Sequence, residues 1–120
     1  MDASDMAEAD VSFFAAFDGE TAVAMGALKR ISDDHGELKS MHVIAHRRGG
    51  GLADAILQRL LEEARAAGLA RVSLETGSQP PFAAARAFYQ RHGFEFCAPF
   101  EGYVEDPHSV FMTLSVADAD

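Results

Sequence analysis

Around residue 50 the hydrophobic period of this 120-residue chain changes. An apolar run ends at Met41-His42-Val43 and Arg48-Gly49-Gly50-Gly51-Leu52-Ala53 follows. From there Leu52, Ile56, Leu60 and Ala64 recur four apart, with Ala53, Leu57 and Leu61 beside them. A period near two giving way to 3.6 predicts a strand, a tight turn and an amphipathic helix. Asp54, Arg59, Glu62 and Glu63 take the wet side of that helix, and Gly68 ends it. The turn is either a plain entry to the helix or an anion cradle. Glycines let the backbone approach a ligand closely, the first helical amides lack partners, and the helix dipole favours negative charge there.

The flanking segments place this unit in a mixed fold. Val11 to Phe17 is rich in aromatic and β-branched residues, Asp18-Gly19 supplies a turn, and Thr21 to Ile31 continues as a second strand. A break at Asp33-Asp34-His35-Gly36 leads into a third strand, Glu37 to Val43, completing an antiparallel meander. Leu38, Met41 and Val43 cannot share a face under strict alternation, which predicts a β-bulge near Ser40. Arg71 to Glu75 forms the next strand, and Gln79-Pro80-Pro81 breaks it. Ala85, Phe88, Tyr89 and His92 then fall at i, i+3, i+4 and i+7 before Gly93, the spacing of a helix. Phe94 to Cys97 and Ser109 to Ser115 close the sheet, joined by the loop Pro99 to His108, where Gly102 and Pro107 punctuate. The order is βββαβαββ: one α/β domain over 11–116, with a flexible acidic N-terminus at 1–10 and a tail at 117–120.

Charge and cysteine content narrow the partners. A net charge of −9 repels nucleic acid and anionic membranes, but it leaves cationic small molecules welcome. No apolar run reaches the roughly 20 residues that span a bilayer. The single cysteine, Cys97, cannot close an internal disulfide, and Met1-Asp2-Ala3-Ser4-Asp5 lacks the basic and apolar regions of a signal peptide. The expected setting is the reducing cytoplasm. No Gly-Lys-Ser/Thr follows the glycine turn, and the five histidines do not stand at zinc spacings with Cys97, so neither a nucleotide P-loop nor a metal is expected. Cys97 reads as a small apolar filler.

Three pieces together resemble the GNAT superfamily of acyl-CoA-dependent N-acetyltransferases, from about Val11 to Leu114. Glu37-Leu38-Lys39-Ser40-Met41-His42-Val43 is similar to that family's bulged central strand, and Arg48 to Ala53 to its Arg/Gln-x-x-Gly-x-Gly/Ala pyrophosphate signature. Ala85-Arg86-Ala87-Phe88-Tyr89 through Gly93-Phe94 is similar to its fourth helix. More narrowly, Ser73-Leu74-Glu75-Thr76-Gly77 and Asp106-Pro107-His108-Ser109-Val110-Phe111-Met112 resemble segments of small bacterial members. The resemblance implies a mixed, mostly antiparallel sheet, splayed at the bulged strand, with acetyl-CoA as co-substrate and a primary amine as acceptor. It implies that Arg48, Gly49, Gly50, Gly51, Leu52 and Ala53 bind the pyrophosphate. Met41, His42 and Val43 pair with pantetheine, and the amide near Val43 polarises the acetyl carbonyl.

The same resemblance makes Tyr89 the general acid for the leaving thiolate, a task that suits a phenol of pKa about 10. From spacing alone Tyr89 is equally a core aromatic with a bonded hydroxyl. Tyr103 is the reserve acid or an acceptor contact. The amine must lose a proton before attack, and Glu37 is the first candidate base, with His35 and His42 as alternatives. Each also reads as an ordinary strand or turn residue. Glu75 is a carboxylate for recognising a cationic acceptor, and His46, Arg47 and Arg48 add local positive charge. Two features depart from the family pattern. Its usual first strand and one or two helices do not precede Val11, so the exposed sheet edge points to a homodimer. An asparagine common in the family is replaced by Phe82. The alternative to an enzyme is a CoA-binding or protein-interaction module of the same fold.

Overall fold

A computed structural model describes residues 11–100 and 102–117, so the acidic start and residues 118–120 lie outside the described residues. The elements are β1 (Val11–Asp18), β2 (Thr21–Arg30), β3 (His35–Val43), α1 (Leu52–Ala66), β4 (Arg71–Gly77), α2 (Ala83–Arg91), β5 (Glu95–Cys97) and β6 (Ser109–Ser115). This is the expected order, with two additional 3-10 turns at Ala45–Arg47 and Pro80–Phe82. The first hairpin turn sits one residue later than expected. Asp18 stays paired with Thr21, and Gly19, with φ +63°, takes the left-handed conformation that the two-residue loop needs.

Both helices stop by the same device. At the end of α1 the Gly68 amide donates to Arg65 O and the Leu69 amide to Ala64 O. At the end of α2 the Gly93 amide donates to Gln90 O and the Phe94 amide to Tyr89 O. In each case a glycine of positive φ turns the chain and the next residue, Leu69 or Phe94, drops into the core.

The six strands run in the order β1-β2-β3-β4-β6-β5. Only β3 and β4 are parallel, and their ladder covers just His35↔Arg71, Gly36↔Val72 and Glu37↔Ser73. Beyond Glu37 the two strands part, which leaves the β4-facing edge of β3 open as far as Val43. The bulge falls where the sequence put it: Ser40 and Met41 together stand opposite Gly26 of β2. A second irregularity, not foreseen, leaves Val23 unopposed between the Ala16↔Ala24 and Phe17↔Ala22 pairs.

Helices cover one face of the sheet. Ile56, Leu57, Leu60, Leu61 and Ala64 of α1 bury against Leu28, Leu38, Val72, Leu74 and Met112, with Tyr89 and Phe94 completing the cluster. Gly26 is what lets α1 sit over the bulge. A Cβ there would lie 2.6 Å from Met41 Sδ, 2.8 Å from Ile56 Cγ2 and 2.9 Å from Leu60 Cδ1. Gly26→Ala is therefore expected to destabilise the protein by about 1–3 kcal/mol through overpacking. That exceeds the gain of about 0.4–1 kcal/mol from a stiffer unfolded chain. Urea unfolding checks it, and an unchanged midpoint would contradict the close packing.

The opposite face carries a different population. Glu37 and Ser73 are buried there, while Phe13 and Phe17 of the outer strand β1 are 62% and 64% exposed.

Candidate active site

The glycine turn delivers a helix start with its amides uncovered. Gly51, at φ +88°, precedes α1, and no side chain caps the helix. Ala55 N to Gly51 O is the first helical bond, so the amides of Leu52, Ala53 and Asp54 have no intrahelical acceptor. Gly49 is also left-handed, at φ +83°. A Cβ on either glycine would meet nothing within 4 Å, so space lies open in front of the turn. Arg48 ties the turn to the end of β3 by donating from Nε to Val43 O at 3.1 Å.

This turn forms one wall of a cleft of about 550 Å³. Met41, His42 and Val43 supply the open edge of β3, and Gly49, Gly51, Leu52 and Ala53 supply the cradle. The far wall comes from Pro81, Phe82, Ala85, Phe88 and Tyr89. Most of the residues expected to hold the donor therefore share one cavity. Gly50 belongs to the turn but does not line it, and neither does His46. Phe82, in place of the family's asparagine, presents a ring that packs on Gly77, where a Cβ would strike it. That stretch of wall is apolar. Arg86 secures it from behind, donating to Gly77 O at 2.7 Å and Gln79 O at 3.1 Å.

Although the chain as a whole is acidic, the mouth is not. Arg47, Arg48 and Arg91 line the cleft. Asp54, on the wet side of α1 as expected, is 45% exposed in its side chain and stands at the cleft. His92 Nε2 lies 2.7 Å and Arg91 3.5 Å from its Oδ1, and the His92 hydrogen bond holds its carboxyl below the usual range. The contact joins the start of α1 to the end of α2. Sequence offered a hint in Asp54 in the first turn of α1 and His92 on the α2 stripe, but their pairing is long-range.

Tyr89 is 8% exposed, edge-on to Phe88 and Phe94, and lines the cleft. Burial pushes its phenol up to about 12, so it stays protonated at any physiological pH. The other candidates stand elsewhere. Glu37 is 5% exposed on the face that no described helix covers, where Tyr103 donates to its Oε2 at 2.7 Å. Glu75, two residues beyond Ser73 on the same face, accepts from Ser109 Oγ at 2.5 Å. His35 bonds Ser73 Oγ at 2.6 Å and packs on Phe100, whereas His42 is exposed in the cleft. Apart from His42, candidate donor and acceptor groups thus lie on opposite faces, and the sheet opens immediately beyond Glu37. Cys97 is half-buried and its thiol is pushed up by burial, in keeping with a filler role.

Comparison with known proteins agrees with this geometry. The model of the acetyltransferase (GNAT) family matches residues 2–94. An uncharacterized N-acetyltransferase of Bacillus subtilis, YsnE, is 45% identical over 104 residues, covering 87% of this chain and 69% of that protein. A crystal structure from Klebsiella pneumoniae, of a candidate acyl-CoA N-acyltransferase, superimposes with a TM-score of 0.86 at 31% identity, over 97% of this chain and 79% of the other. PaiA N-acetyltransferase from Thermoplasma acidophilum, solved with coenzyme A, shares the fold at a TM-score of 0.77 and 18% identity, over 91% of this chain and 63% of its own. With a mixed sheet parted at a bulged strand, a glycine turn into a helix and a tyrosine facing it across one cleft, the chain belongs to the GNAT family of acyl-CoA-dependent N-acetyltransferases.

Proposed function

We propose that the protein transfers the acetyl group of acetyl-CoA to a primary amine by direct attack within a ternary complex. The observation that carries this reading is the shared cleft: glycine cradle, open edge of β3 and Tyr89 line one cavity. The pyrophosphate lies on the amides of the turn, and pantetheine pairs with the β4-facing edge of β3 at Met41 to Val43, where Arg48 holds Val43 O. The thioester is presented at the gap where β3 leaves β4. The amine approaches from the other face, where Glu37 takes its proton and Glu75 attracts its charge. Tyr89 then donates to the departing thiolate. Its value near 12 stands above the roughly 8.5 of an ordinary thiol, so it acts chiefly as a strong hydrogen-bond donor to that sulfur.

The setting is cytoplasmic, and a second copy covers Phe13 and Phe17 at the outer strand. Sedimentation at the monomer mass would contradict that dimer. Thiol release from acetyl-CoA tests the activity, with spermidine, lysine, phenethylamine and an alanine-initiated peptide as acceptors. At least one is expected to accelerate release. Coenzyme A binding without acceleration by any amine would favour a CoA-binding module and end the enzyme reading.

A further inference from the structure

On the sheet face that no described helix covers, three rings close on one another. Phe100 and Phe111 each lie 5.3 Å from Tyr103 between ring centroids, and 5.7 Å from each other. Phe111 belongs to β6, so the stack pins Tyr103, a residue of the β5–β6 loop, against the sheet. Its hydroxyl points at Glu37, donating to Oε2 at 2.7 Å. Lys39 Nζ stands 3.8 Å from that same oxygen. Among the described residues both contacts fall on Oε2, which leaves Oε1 for a third group. A carboxylate as buried as this needs a fixed donor, and Lys39, on a long half-exposed stem, is a poor one. Burial and the Glu37 bond together push the Tyr103 phenol up to about 12, the bond contributing most, so the donor keeps its proton.

We infer that Tyr103 is a positioning residue for acetyl transfer: held by Phe100 and Phe111, it fixes Glu37 so that Oε1 meets the incoming ammonium group. The inference rests on the reading of Glu37 as the base. One N–H bond of the ammonium breaks, its proton passes to Oε1, and the freed electron pair attacks the thioester carbonyl. The tetrahedral centre then collapses, the C–S bond breaks, the sulfur leaves with that electron pair, and the second proton shed by the nitrogen goes to the departing thiolate. The Tyr103 proton does not move. The loop 98–108 thereby becomes part of the acceptor machinery, although its tyrosine touches neither donor nor amine.

A double-mutant cycle on acetyl transfer to spermidine and phenethylamine tests this. Tyr103→Phe keeps the ring stack and removes only the donor. It should lower kcat/KM for the amine about tenfold to a hundredfold, the cost of a misplaced reacting group, while KM for acetyl-CoA stays within about twofold. Added to Glu37→Gln, it should cost nothing more. Losses that multiply in the double variant would overturn the inference, as would a Tyr103→Phe enzyme of normal rate beside a slowed Glu37→Gln. If Glu37→Gln is itself as fast as the parent, the base reading falls and takes this inference with it. A readout independent of turnover uses the fact that the chain has two tyrosines and no tryptophan. In Tyr89→Phe protein the remaining phenol, quenched by its carboxylate, should brighten when Glu37→Gln is added. Equal emission would overturn the contact on which the assignment stands.

Discussion

Gly51→Glu is expected to weaken coenzyme A binding by at least about 100-fold without unfolding the protein. Two effects add. At φ +88° a non-glycine residue carries backbone strain, on the order of 1–3 kcal/mol, which the free turn sheds by relaxing and which coenzyme A must restore on binding. The new carboxylate then projects from the mouth of the cradle toward the place where the pyrophosphate lies, replacing an attraction between helix start and anion with like-charge repulsion. Each 1.4 kcal/mol is about a factor of ten, so roughly 3 kcal/mol against the bound state gives the predicted loss. The fold survives because nothing stands within 4 Å of a Cβ at this position. Gly51→Ala separates the terms: it shares the strain but not the charge, so its loss should be smaller than that of the glutamate variant. Calorimetry with coenzyme A reads both. If the glutamate variant binds within threefold of the parent, the anion does not sit on this turn.

The same turn illustrates what a sequence can reveal. Its glycines, the strand before it and the apolar stripe after it are local features, readable from spacing because strand and helix periods are fixed by backbone geometry. The bulge was legible for a related reason: Leu38, Met41 and Val43 could not all be apolar and share a face otherwise. Val23 gave no such warning, since alanines flank the Ala16–Phe17 slip on both strands and fit either side of the sheet. What stayed hidden was long-range. The β3–β4 ladder ends at Glu37↔Ser73, yet nothing near Glu37 in sequence says that its parallel partner will leave there. Asp54 met His92, 38 residues on, and Glu37 met Tyr103, 66 residues on. Side-chain spacing on one element carries no information about which other element will face it. The candidate residues were therefore legible as types, while their division between two faces of the sheet was not.

That division gives the two tyrosines different signatures. Both phenols are pushed up to about 12, Tyr89 by burial alone and Tyr103 chiefly by the Glu37 carboxylate. Tyr89→Phe preserves the edge-on packing with Phe88 and Phe94 and deletes only the donor to the leaving sulfur. General acid or hydrogen-bond assistance in such a step is worth about 10²–10⁴ in rate. A kcat lower by about 100-fold or more is expected, with KM for acetyl-CoA little changed, since the cradle and the β3 edge are untouched. The pH dependence has a definite sign. A phenol raised to about 12 is protonated throughout the range below pH 10, so its loss should scale the rate profile down without moving either limb. An alkaline fall near pH 9 in the parent would belong to another group. Unlike Tyr103→Phe, this loss should multiply with that of Glu37→Gln, because the two residues serve opposite ends of the transfer: one receives the amine's proton, the other meets the thiolate. A Tyr89→Phe enzyme with the parent's kcat would remove the phenol from the chemistry and leave it as a core residue.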